Sequence, residues 1–233
     1  MSRLVVGDLC FELRRSARRR TLEITVDRGG ELVLSAPIGA KETRLRDFVR
    51  RKRMWVYRQL ARKEALLRPI PRKAFVDGEG FLYLGRSYRL RLITSSGSAA
   101  PVRLERGRLM MPRTLAANGR VHLRRWYVER ATPWLLKRVR DYADRMEVMP
   151  TAVSVQDLGY RWGSCGKSGR LYFHWKTILL PARIAEYVVV HEMAHLHEPH
   201  HIPAFWRRVE RALPDYNLRK EWLAEHGIDV EGH

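Results

Sequence analysis

The segment Val190–His201 reads Val-His-Glu-Met-Ala-His-Leu-His-Glu-Pro-His-His, and its histidines and Glu192 are spaced for metal chemistry. His191 and His195 stand four residues apart. On a helix they share one face, so both imidazoles can reach a single ion, at about 2.0–2.1 Å for zinc. Glu192 lies one step round the helix, beside the ion's open position. There a carboxylate can take a proton from a metal-bound water and later deliver it to a leaving group. The run Ile184, Tyr187, Val188, Val189 and Val190 just before the motif predicts a buried helix, and a dry setting keeps imidazoles neutral enough to ligate.

Such a centre needs a third ligand. Glu198-Pro199 must stop the helix, because proline lacks an amide hydrogen and disfavours helical geometry at the residue before it. The returning chain then offers His201, six residues after His195, the interval that metzincins also use. His200 competes with it, while His197 would point away for as long as the helix lasts. A glutamate from a later helix is another solution, with Glu210 and Glu221 as candidates, though both read as surface charges. The cluster of His195, His197, His200 and His201 could also be an adventitious metal-binding patch. Upstream, Tyr160-Arg-Trp-Gly-Ser-Cys-Gly-Lys-Ser-Gly169 forms a glycine-rich block. Its Cys165 either coordinates the ion in a latent state or packs a tight turn, and Trp162, Gly163 and Ser164 shape a strand facing the metal helix. Tyr160, Tyr172 and His174 are candidates to stabilise a developing oxyanion.

Taken together, Tyr160-Arg-Trp-Gly-Ser-Cys165, Val190-His-Glu-Met-Ala-His-Leu196 and His201-x-x-x-Phe-Trp206 resemble the YgjP-like metal-dependent hydrolases. Arg19-Arg-Thr-Leu-x-Ile-x-Val and Ala36-Pro37 are similar to that family's N-terminal region, so the resemblance spans most of the chain. It implies a zincin-type fold, His201 as the third ligand, and a zinc hydrolase usually described as a peptidase. Met193 replaces a usual leucine, and His200 stands where asparagine is common.

The elements that must position these residues follow from periodicity. Residues 3–36 read as strands, with Thr21–Val26 alternating apolar and polar, and Cys10 as a buried strand residue. A helix is predicted over about 41–67, with Leu45, Phe48, Val49, Trp55, Val56, Leu60 and Leu66 on its apolar face and Pro69 and Pro71 ending it. Strands return over 75–111. A second long helix runs from about 118 to 146, with Val121, Leu123, Trp126, Tyr127, Ala131, Leu135, Val139 and Tyr142 inward. Strands follow over 152–180, then helices opened by Pro181 and by Pro203, the latter with Phe205, Trp206, Val209 and Leu213 at core spacing. Val26-Asp-Arg-Gly-Gly-Glu-Leu-Val-Leu faintly echoes Leu104-Glu-Arg-Gly-Arg-Leu-Met-Met, which suggests a hairpin-plus-helix unit used twice. The expected architecture is α+β: a basic, β-rich region over 1–115 and a zincin-like metal-hydrolase domain over 116–233, divided near Pro112 and Asn118-Gly119.

Composition sets the remaining bounds. The chain has 233 residues, 45% of them hydrophobic, enough for a folded core and against disorder. Its 45 Lys+Arg against 25 Asp+Glu give a net charge of +20, and the whole excess lies before residue 151, where 35 basic residues meet 15 acidic ones. Eight of nine histidines lie after it. The opening apolar run, Leu4–Val6, is too short for a signal peptide, and no segment spans a membrane. Two cysteines make no disulfide framework, which fits a cytoplasmic protein. The runs Arg14-Arg15, Arg18–Arg20 and Arg50–Arg53, with Trp55 and Tyr57 as stacking platforms, invite a nucleic-acid reading. Arginine outnumbers lysine 37 to 8, however, which a GC-rich genome also produces. The leading expectation is a hydrolase with one zinc per chain, most simply a metallopeptidase acting on a peptide or protein. The alternatives are hydrolysis of a nucleotide or phosphate ester, and a basic nucleic-acid-binding protein with a structural zinc.

Overall fold

A computed structural model describes residues 2–27, 30–64, 73–94, 101–159, 161–230 and 232. The chain divides into two compact units, Met1–Pro69 and Ile70–His233. Leu66, Pro69, Pro71 and Tyr160 lie outside the described residues.

The first unit contains β1 (Ser2–Val6), β2 (Leu9–Ser16), β3 (Glu23–Val26), β4 (Leu32–Pro37) and α1 (Glu42–Glu64). Its sheet has the order β1-β2-β4-β3, with β2 parallel to β4 and the outer pairs antiparallel. Phe11, Leu34, Ala36, Leu45, Val49 and Val56 close a core of its own. Two side chains expected inside face outward. Cys10 is exposed, because it alternates with the buried Leu9 and Phe11 on a strand whose side chains change face at every step. Trp55 is 42% exposed, since one residue along a helix rotates it about 100° away from the inward Val56. Several arginines serve the fold itself. Arg15 donates to the carbonyls of Pro37, Ile38 and Ala40, Arg46 joins Glu42 to the carbonyl of Val5, and Arg53 joins Asp8 to Tyr57.

The second unit begins with β5 (Gly80–Tyr83), β6 (Arg86–Ile93), β7 (Arg103–Glu105), β8 (Arg108–Pro112) and α2 (Gly119–Met146). The sheet order β5-β6-β8-β7, with β6 parallel to β8, repeats that of the first unit. The sequence echo falls on equivalent hairpins, β3–β4 and β7–β8. A boundary at 115/116 would cut through this unit's core. Phe75, Phe81, Leu90, Leu109 and Met111 share one hydrophobic cluster with Leu123, Trp126, Tyr127 and Leu135 of α2 and with the metal helix beyond. The chain therefore divides at Pro69. On α2 the buried face is Leu123, Trp126, Tyr127, Ala131, Leu135, Val139 and Met146, whereas Val121 points away and is 68% exposed.

The remaining elements are β9 (Ala152–Gln156), β10 (Gly163–Cys165), β11 (Arg170–His174), a 3-10 turn (Trp175–Leu179), α3 (Ala182–Ala194), α4 (Pro203–Ala212) and α5 (Tyr216–His226). Strand β11 is central, parallel to β9 and antiparallel to β10, which forms an edge. Among the described residues no helix is long and apolar enough to cross a membrane.

The two parts of this unit are stapled by the β5–β6 turn. Leu84 and Gly85 take positive φ values of 48° and 77°, as a tight two-residue hairpin turn requires. Their amides donate to the carbonyls of Ile178 and Leu179, just before α3. A Cβ on Gly85 would sit 2.7 Å from the Cα of Pro181. Gly107, in the β7–β8 turn, has a similar φ of 74° but nothing within 4 Å. Gly107→Ala is therefore expected to cost about 1 kcal/mol of backbone strain, and Gly85→Ala at least about twice that, because overlap with a backbone atom is added. Denaturant unfolding followed by tryptophan fluorescence measures both, and equal losses would remove Pro181 as the cause.

Candidate metal centre

Helix α3 carries the centre out of the core. Pro181 precedes it and accepts the amide hydrogens of Ile184 and Ala185, and Ile184, Ala185, Val189, Val190, Met193 and Ala194 are fully buried. The regular helix ends at Ala194, somewhat before Pro199, because the amides of Leu196 and His197 bond back only three residues, to Met193 and Ala194. Such tightening is common in a last turn. The chain then reverses, and Pro203 starts α4 on the far side of the site.

His191, His195 and His201 meet here. Their ligand atoms all lie within 4.8 Å of one another, and Nε2 of His201 is 2.9 Å from Nε2 of His191. His195 Nδ1 lies 3.0 Å from the carbonyl oxygen of Glu198. A carbonyl only accepts, so this Nδ1 carries the hydrogen and Nε2 keeps its lone pair. Phe205 touches all three rings, at centroid distances of 5.0, 4.6 and 4.7 Å. Burial, followed by the neighbouring His201 and His195, pushes His191 down to about 3, and burial also lowers His195 and His201. The three imidazoles are thus neutral nitrogen donors turned toward one point, a set that fits a divalent ion.

The competing residues stand elsewhere. His200 is exposed and outside the group, as are Glu210 and Glu221. His197 Nε2 lies 3.3 and 3.2 Å from the carbonyls of Met146 and Glu147, where it satisfies acceptors left over at the end of α2. Among the four histidines of the possible adventitious patch, only His195 and His201 belong to the group.

Glu192 is 7% exposed, and burial pushes its carboxyl up to about 8 despite the opposing charge of Arg161. The space for it comes from Gly163. A Cβ on that residue would lie 2.7 Å from both Cδ and Oε1 of Glu192. The glycine of the Trp-Gly-Ser-Cys block thus permits strand β10 to press against the carboxylate. The strand expected to face this helix does so; the specific pairing of residue 163 with residue 192 is not given by any spacing in the sequence. Trp162 packs on Gly227, 3.1 Å from where a Cβ would be, and its carbonyl accepts from the His174 amide and the Thr177 hydroxyl. Burial, then the charge of Glu192, raises the thiol of Cys165; its Sγ lies 3.7 Å from the carbonyl of Gly166 and outside the histidine group. His174 accepts the Lys176 amide at Nδ1 and sits 3.3 Å from Asp157 through Nε2, so both its ring nitrogens serve the fold. Tyr172 flanks Gly166. Arg161, which the sequence reading passed over, donates to Ser164 Oγ at 3.4 Å and is felt electrostatically at Glu192.

No curated protein matches the chain. Among solved structures it is similar to the crystal structure of the metallopeptidase zymogen of Pyrococcus abyssi abylysin, at 23% identity over 37% of this chain and 86% of that one, with a TM-score of 0.34. The family described as YgjP-like, metallopeptidase domain, matches residues 20–226, and a match over that much of the chain makes this protein a member of the YgjP-like family.

Proposed function

We propose that this protein is a peptidase with one zinc ion per chain, held by His191, His195 and His201, and with Glu192 as its general base. The observation that carries this reading is the meeting of three imidazole nitrogens within 4.8 Å of one another beside a buried carboxylate. Three protein ligands and an open fourth position characterise catalytic zinc, whereas structural zinc is closed by four. That difference weighs against a structural ion in a nucleic-acid-binding protein, and membership of a metallopeptidase family favours a peptide bond over a phosphate ester. Bound zinc supplies a coordinated water with a pKa near 7 and polarises the substrate carbonyl. The protein does the rest. In its ionised form Glu192 accepts a proton from the attacking water at a carboxylate oxygen and returns it to the nitrogen of the departing amine. Phe205 covers the triad from behind, and the Glu198 carbonyl fixes the tautomer of His195. Gly163 leaves the carboxylate room to stand in place.

Four substitutions separate these roles. Glu192→Gln is expected to retain the ion and lower kcat about 10²- to 10⁴-fold; turnover near wild type would sink the assignment. His201→Ala should lose bound metal while His200→Ala keeps it, read by elemental analysis of purified protein, and the reverse pattern would move the third ligand. Gly163→Ala should keep its metal yet lose about 10- to 100-fold in kcat, as expected when a catalytic group shifts by roughly 1 Å. Undiminished kcat in that variant would show that β10 does not position Glu192.

A further inference from the structure

At the rim of the centre, Lys220 is a cation that no carboxylate among the described residues neutralises. Lys220 lies on α5 and is exposed. Its Nζ is 4.4 Å from the centroid of the Trp206 ring and 5.9 Å from that of Tyr216. Trp206 stacks on Tyr216 at 5.5 Å and on His201 at 5.6 Å, with interplanar angles of 20° and 26°. With Nζ 4.4 Å from Trp206 and Trp206 5.6 Å from His201, the ammonium stands within about 10 Å of that ligand's ring.

The adjacent Arg219 is treated differently. It is bonded to Asp215 at 2.9 Å and to Glu186 at 3.3 Å. Lys220 forms no ion pair among the described residues, and its helical neighbours at three and four positions are Tyr216, Asn217, Leu223 and Ala224, none of which carries a carboxylate. An aromatic face attracts a cation without cancelling its charge. One side chain at this rim is therefore balanced internally, and the next is left to face an anion from outside.

We infer that Lys220 is the receptor for a substrate carboxylate on the residue immediately beyond the cleaved bond, so that the enzyme removes single residues from the C-terminus of peptides. The inference rests on the peptidase reading above. Length supports it. An ion-to-carbonyl contact of about 2 Å, one residue of extended chain at about 3.5 Å and an ammonium–carboxylate contact of about 2.8 Å together take up roughly 8 Å. A one-residue spacer therefore fits within the span that the Trp206 stack sets between Lys220 and His201. A peptide cut far from its end presents only a neutral amide at that point and leaves the ammonium unmatched.

The test uses the zinc-loaded full chain and three peptides of common sequence: one with a free C-terminus, one amidated, and one amidated with glutamate as its last residue. The free acid should exceed the plain amide about 10- to 100-fold in kcat/KM, the range for a hydrogen bond to a charged group. Lys220→Met should bring that ratio close to one, and Lys220→Arg should keep most of it. A ratio near one in the wild type, or one unmoved by Lys220→Met, overturns the inference with the peptidase reading intact. Equal turnover of the glutamate amide and the free acid would also overturn it, by assigning Lys220 to a side-chain carboxylate. If no peptide is cleaved, the peptidase reading fails separately. Calorimetric binding of the acid and amide pair to wild type and Lys220→Met then decides Lys220, with the same ratios for and against.

Discussion

The centre depends on keeping ionisable groups in an apolar interior without letting them charge in the wrong sense. Burial costs a charged group far more than a neutral one. His191 and Glu192 sit side by side on a helix most of whose residues fill the core, and each is driven toward its neutral form. For the histidine that outcome is useful directly, since only neutral imidazole has a lone pair to offer. For the glutamate it means a high proton affinity in a group that lies beside the ligand set. Most of the second unit can be understood as the packing that maintains this environment: Phe205 behind the rings, β10 against the carboxylate, and the β5–β6 turn bonded to the segment leading into α3.

What was legible in the sequence was what depends on local spacing. Two histidines four apart share a helix face whatever surrounds them, and the 28 residues of α2 announced themselves by a long, regular apolar period. The return of His201 was legible for the same reason, although the helix tightens at Ala194 before Pro199 is reached. Contacts between distant residues were not. The fit of Glu192 against Gly163 joins positions 29 apart, and the use of His197 joins a loop to carbonyls about 50 residues earlier. Trp55 and Cys10 were misread because a large or apolar residue type was taken for an inward one, where the neighbours' alternation already gave the opposite answer. The domain boundary was misjudged because Pro112 and Asn118-Gly119 interrupt secondary structure without interrupting the core. A break in a pattern marks the end of an element, and only the partner surface says whether a domain ends there too.

The basic charge has become a less uniform feature. Arg15, Arg46 and Arg53 are tied to carbonyls and carboxylates within the first unit, where a guanidinium fork can join strands to helix in a way lysine cannot. Part of the arginine excess is therefore structural hardware. Beside the histidine triad the informative cation is Lys220, identified by its lack of an ion-pair partner among the described residues rather than by numbers.

The repeated sheet order has a consequence for how this chain comes apart. Each copy of the strand-and-helix arrangement closes its own hydrophobic core, and the imidazole triad lies in the second unit alone. An ion bound to the native triad stabilises by mass action only the cooperative unit that forms the triad. Metal-dependent stabilisation is accordingly a property of the second unit, whose residues form the triad.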